Sequence, residues 1–193
     1  MPRKNKKQKP TWIQTISGKK IDLLKPNIDD IDIQDIATSL SNISRFTGHT
    51  IKHSPVSAHS ILVSLLAAEN GESRAVQFAG LLHDSPEFAL GDINSPLKTL
   101  LPDYRKIEER WTKAIALKYN VELEDFKRIK PYDHEAVIIE ANSVFKVKRP
   151  EWDTENLHAY SLPYRKFYNV EWNPEHSREL FLIMFTAFQV GKK

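Results

Sequence analysis

The chain has no cysteine among its 193 residues. Disulfides and thiolate zinc sites are thereby excluded, and any metal must be held by imidazole and carboxylate groups. There is no run of eighteen apolar residues, so no membrane-spanning helix is expected. The basic first residues are followed by no apolar core, so no secretory signal is expected, and the protein reads as cytoplasmic. A basic body is also missing. The formal charge is +3, but Arg3, Lys4, Lys6, Lys7 and Lys9 all lie in the first nine residues. Without those five the remainder carries about −2. A nucleic-acid-binding body would be basic over one face, so no nucleic-acid partner is expected. Residues 1–10 read as a basic, disordered, solubilising tail, with a weak electrostatic contact to nucleic acid or a partner as the alternative.

What is present is an ordinary globular composition, 40% hydrophobic and 27% charged. Residues 11–193 read as a single domain. Thr11 to Leu23 favours a hairpin: Trp12, Ile13, Thr15 and Ile16 are strand-prone and Ser17-Gly18 turns the chain. After that the pattern is helical almost throughout. Ile31, Ile33, Ile36, Ala37, Leu40 and Ile43 recur near a helical period, with Gly48 as the stop. Ser54-Pro55 reads as a helix start with Ser54 at the N-cap, and Asn70-Gly71 as its end. Further helices are predicted from Glu72 to His83, Tyr104 to Tyr119, Tyr132 to Val147 and Pro174 to Val190, the last capped by Asn173 and stopped by Gly191. The stretch from Lys148 to Trp172 has little periodicity and reads as a long ordered loop or lid. The fold class is all-α, a helical bundle with a short N-terminal β-hairpin.

His83-Asp84 is the sharpest feature. Adjacent residues cannot share one helix face, but they can converge on one ion where a helix breaks, and Ser85-Pro86 supplies a break. His59 sits on the apolar face of the preceding helix, where antiparallel packing can bring it to His83. Asp133 opens a later helix whose inner face carries Ala136, Val137 and Glu140. Singly, each has a plain structural reading: His59 as a core histidine, His83-Asp84 as a helix end, Asp133 as an N-cap. Jointly they form a mixed imidazole and carboxylate set suited to a divalent cation. His134, next to Asp133, is a competing ligand.

The order His59, His83-Asp84, Asp133 resembles the metal signature of HD-domain phosphohydrolases. Four blocks resemble the YfbR-like branch of that family: Arg45-Phe46-Thr47-Gly48-His49, Val56-Ser57-Ala58-His59-Ser60, Leu81 to Glu87, and Gly91 to Lys98. That branch contains bacterial deoxynucleoside 5′-nucleotidases and phage dATP triphosphohydrolases of the DatZ type. The resemblance spans about residues 11 to 145. It implies an HD-domain helical bundle and a divalent cofactor (Co, Mn, Zn or Mg) on His59, His83, Asp84 and Asp133. It further implies Glu87 as the group that orients or deprotonates water and Asp92 as a second catalytic carboxylate. Arg45 and Lys98 would hold phosphate, Phe46 and Pro96 would line the base or sugar pocket, and His49 would be a further phosphate contact. Glu140 would support the site structurally. Asn94 departs from the branch, where many relatives carry Pro, and Phe46 stands at a position that can hold Trp. A nucleotide substrate and a homo-oligomer are expected by the same resemblance.

The expected chemistry is hydrolysis of deoxynucleoside phosphates. Lys98, His49, Lys52 and His53 leave room for a longer phosphate chain, which favours a dNTP, dATP among them. The alternative is a 5′-monophosphatase. A non-catalytic nucleotide-binding module is a third reading, which would have no need of Glu87 and Asp92 beside a metal.

Overall fold

The computed structural model describes residues 10–147 and 163–190. The architecture is all-α with a two-stranded N-terminal hairpin, as the periodicity indicates. The hairpin pairs β1 (Trp12–Gln14) with β2 (Lys20–Asp22), Ile13 opposite Ile21. Its turn is fixed from outside: buried Asp35 accepts from the Ser17 amide at 3.0 Å and the Ser17 hydroxyl at 2.7 Å. Asp35 belongs to α1 (Ile33–Asn42), where Asp32 caps the N-terminus and Ile36, Ala37 and Leu40 form the buried stripe. The helix ends there, before Arg45, and Gly48 belongs to a separate turn at Phe46–Gly48. The expected stop at Gly48 is therefore displaced: an antiparallel bridge of Ser44 to Pro55 takes over the backbone groups that would have extended α1.

The central element is α2 (Val56–Glu69), which packs against α1, α3 (Arg74–Leu82), α8 (Lys130–Val144) and α9 (Pro174–Gln189). Such a helix has no solvent face, and eleven of its fourteen residues are buried, His59 and three serines among them. Pro55, and not Ser54, occupies its N-cap, and no side chain caps it. The Ser54 hydroxyl is turned inward to Glu140 of α8 instead. Between α3 and α8 come three short or surface elements: α4 (Glu87–Leu90), α5 (Ser95–Leu100) and the long α6 (Pro102–Tyr119), followed by α7 (Leu123–Arg128). Trp111 of α6 is fully buried, and its indole N–H donates to the Leu23 carbonyl at 3.0 Å, tying α6 to the hairpin.

Asn173 caps α9 by accepting from the His176 amide at 2.9 Å, as expected. Residues 1–9, residues 148–162 and Gly191 lie outside the described residues, and with them the basic tail and most of the loop predicted from Lys148 to Trp172. The part of that loop inside the described range forms a turn, Pro163–Asn169, that buries Tyr168 completely. No helix among the described residues is long and apolar enough to cross a membrane.

Gly80 sets the approach of α3 to α2. A Cβ there would meet the Ser64 Cα at 3.1 Å and the Ser64 amide nitrogen at 3.2 Å, both backbone atoms. Gly80→Ala should therefore push the helices apart and lower stability by about 1–3 kcal/mol in a denaturant titration. An unchanged midpoint would show that the helices separate without strain.

Candidate metal centre

His59 stands in the first turn of α2 with no exposure, and both its ring nitrogens meet carboxylates of α8. Nδ1 lies 2.8 Å from Glu140 Oε2, and Nε2 lies 2.9 Å from Asp133 Oδ1. Asp133 and Glu140 are seven residues apart, two helical turns, and so share one face of α8. His83, just after α3, donates its Nδ1 proton to the Gly80 carbonyl at 2.8 Å. That bond turns Nε2 inward, 3.2 Å from Asp84 Oδ1 and 3.7 Å from Asp133 Oδ1. Asp84 Oδ2 is also 3.7 Å from His59 Nε2. Ligand atoms of His59, His83 and Asp133 all lie within 4.8 Å of one another.

The donor set fits a divalent cation on three observations. Each imidazole has its Nδ1 bound to a carboxylate or carbonyl, which fixes Nε2 as the inward-facing atom, the arrangement typical of metal-ligating histidines. Two imidazoles and two carboxylates converge without any thiol. His83 Nε2 is buried and makes no hydrogen bond among the described residues, an orphan that a cation would satisfy. His134, the competing ligand, is exposed and stands outside this group.

Electrostatics bind the cluster together. Burial acts to raise the Asp84 carboxyl, but His83, His59 and Arg45 outweigh it and hold Asp84 well below the usual carboxylate range. The same opposition holds Asp133 down, through the two histidines beside it. Burial disfavours the His83 cation, yet Asp84 and Asp133 raise it well above an ordinary imidazole. Protons or a divalent cation are alternative means of neutralising these carboxylates.

Around this centre a cavity of about 410 Å³ opens. Asp84, Glu87, Asp92 and Asp133 form its acidic side. Arg45, Phe46, His49, Pro96 and Lys98 line the remainder together with Asn94 and Phe145. Nine of the eleven site residues read from the sequence thus line one cavity, and the other two, His59 and His83, lie beside its Asp84 and Asp133. Phe46 and Phe145 form an edge-to-face pair with centroids 5.0 Å apart. Phe46 and Thr47 both have φ of 55°, a left-handed conformation costing about 1–3 kcal/mol each, which aims this loop at the cavity. Asn94 caps α5 by accepting from the Leu97 amide at 3.0 Å, and its side-chain amide donates to Thr47 at 3.4 Å, joining two walls.

Several of these residues already have partners within the protein. Arg45 makes its bonds to protein carboxylates, Nε to Glu140 at 3.1 Å and Nη1 to Asp84 at 3.3 Å. Lys98 is paired with Glu108 at 2.7 Å and Glu87 at 3.4 Å. Lys52 and His53 lie outside the cavity, and His53 Nε2 is 2.9 Å from the Ser41 carbonyl. Glu87 is nearly buried, and its Oε2 makes no hydrogen bond among the described residues. Burial, with the neighbouring charges of Asp84 and Asp92, pushes its carboxyl well above the usual range, against Lys98 and Arg45. Burial likewise raises Asp92.

Tyr168 was not found from the sequence. Its hydroxyl donates to Glu140 Oε1 at 2.5 Å, while Ser54 donates to the same oxygen at 3.5 Å. Its surroundings have no helical period, and only its distance from Glu140 in space gives it a role.

No family model matches the chain. It is similar to an uncharacterized protein of Escherichia coli (strain K12), YfdR, with 43% identity over 111 residues, 58% of this chain and 60% of the relative. It is also similar to the uncharacterized protein RCAP_rcc00048 of Rhodobacter capsulatus, with 36% identity over 118 residues and the same shares. The chain thus spans about 60% of the length of the curated relatives it matches.

If Glu140 orients His59, Glu140→Gln should weaken divalent-metal affinity about 10–100-fold by calorimetric titration. Tyr168→Phe should weaken it in the same direction by less. Wild-type affinity in Glu140→Gln would reduce Glu140 to a partner of Arg45 alone.

Proposed function

We propose that the protein is a metal-dependent hydrolase of deoxynucleoside phosphates, of the HD-domain type and its YfbR-like branch. The observation that carries the reading is the convergence of His59, His83, Asp84 and Asp133 beside a cavity whose walls hold a buried carboxyl, a guanidinium and an aromatic pair. The four residues would hold the cation. A divalent cation there supplies Lewis-acid polarisation of a phosphoryl oxygen and acidification of water.

The remaining chemistry belongs to the chain. Glu87 takes the proton from the attacking water, since its unbonded Oε2 and its raised proton affinity suit a general acid–base group. Arg45 balances Asp84 and Glu140, and with two of its nitrogens so held it is fixed at the cavity edge to meet phosphate oxygens. Lys98, 3.4 Å from Glu87, opposes that rise in proton affinity. Phe46, Pro96 and Phe145 offer flat and apolar surface to a base or sugar. Lys52 and His53 give no support to a longer phosphate chain, since neither lines this cavity.

Mono-, di- and triphosphates of each deoxynucleoside, offered with Mn²⁺, Co²⁺, Mg²⁺ and Zn²⁺, test the reading. Deoxynucleoside should be released from at least one of them, and no release from any would end it. Asp84→Ala should lose both metal and turnover. Glu87→Ala should keep the metal while kcat falls about 10²–10⁴-fold; loss of metal instead would make Glu87 a ligand.

A further inference from the structure

One wall of the 410 Å³ cavity stands apart from the rest. The helix α5 and its cap supply Asn94, Ser95, Pro96 and Lys98 to the lining. A wall of this kind usually rests on core packing, and this one does not. None of the six residues of α5 is buried, and none of its side chains joins the hydrophobic core. Leu97 is 42% exposed and Leu100 74%. Six residues are too few for a helix to persist by itself.

The bonds that hold α5 are polar. Lys98, in its last turn, donates to Glu108 of α6 at 2.7 Å and to Glu87 of α4 at 3.4 Å. These three side chains are largely screened from water, Glu87 most of all, so the pairing is firmer than one in open solvent. The remaining ties are longer and exposed: Asn94 to Thr47 at 3.4 Å, and Arg105 Nε to the Lys98 carbonyl at 3.3 Å. Both ends of the segment can turn. Gly91, with φ of 75°, closes α4, and its carbonyl is anchored by the Tyr104 hydroxyl at 3.3 Å. Leu101 alone separates α5 from α6. Segments with few buried apolar contacts open at low cost, and element ends of this kind act as hinges.

We propose that α5 is a flap over the cavity, latched shut by Lys98 between Glu108 and Glu87. Glu108 does not line that cavity, and its effect there runs through Lys98. With the latch made, Asn94, Ser95, Pro96 and Lys98 close one side of the cavity; with it broken, α5 swings between Gly91 and Leu101 and that side opens. The nucleoside is the ligand the flap covers, a clause that rests on the hydrolase reading above. The latch itself does not.

Hydrogen exchange of the amides in residues 95–101, read by mass spectrometry on the full chain with Mn²⁺, tests this. Lys98→Met should speed their exchange at least about tenfold, and Glu108→Gln should do so by less. Lys98→Arg, which keeps both pairs, should leave it as in the wild type. Exchange in α2 and α8 should not change in any variant. Deoxyadenosine with inorganic phosphate, added to the wild type, should slow the α5 amides at least about threefold. Unchanged α5 exchange in Lys98→Met overturns the latch, as does free exchange of α5 in the wild type. An equal rise in α2 and α8 would make Lys98 a support of the whole fold and also overturns it. If the wild type turns over nucleotide while nucleoside and phosphate leave α5 unaltered, the flap falls and the hydrolase reading stands. If it turns over none yet Lys98→Met frees α5, the hydrolase reading falls and the latch stands.

Discussion

The Glu140 carboxylate is the interaction on which the rest of the site depends. It has no exposure and is held charged below its usual range, against burial, by Arg45 and His59. One oxygen binds His59 and Arg45, and the other binds Tyr168 and more weakly Ser54. Four segments therefore meet on one side chain: the Ser44 to Pro55 bridge, the α2 that follows it, α8 and the Pro163–Asn169 turn. A buried charge is costly unless every lone pair is matched, so this group tolerates little displacement. Its position fixes the His59 ring, and the His59 ring fixes where a cation can sit. Arg45 is fixed by the same carboxylate, so metal site and phosphate-facing cavity are aligned by one group.

The periodic elements were legible in the sequence because each has one apolar stripe against the core. The hairpin, α1, α3, α6, α8 and α9 all follow it, with boundaries moved by a few residues. The short helices α4, α5 and α7 went unread, since four to six residues carry no measurable period and owe their form to Pro86, to Asn94 and to their neighbours. The Ser54 cap failed for a different reason. A local rule predicts that its hydroxyl closes the helix, but a buried carboxylate 86 positions away claims it. The same kind of long-range demand displaced the expected stop at Gly48.

The site was legible in composition and less so in contacts. His59, His83, Asp84 and Asp133 could be named because their order resembles a known signature, and the fold brings them together. Arg45 and Lys98, which the resemblance assigned to phosphate, are also paired with carboxylates of the protein, which the sequence did not show. Tyr168 could not be found, because nothing near it in sequence points to Glu140.

The account stands on His59 and His83 presenting Nε2 to one cation. X-ray absorption on protein loaded with Zn²⁺ or Mn²⁺ measures this most directly, since the outer-shell scattering of imidazole counts the histidines bound. One ion per chain with two imidazole ligands and oxygen in the remaining positions is the predicted result. A stoichiometric ion with no imidazole ligand, or no bound ion at all, would contradict it.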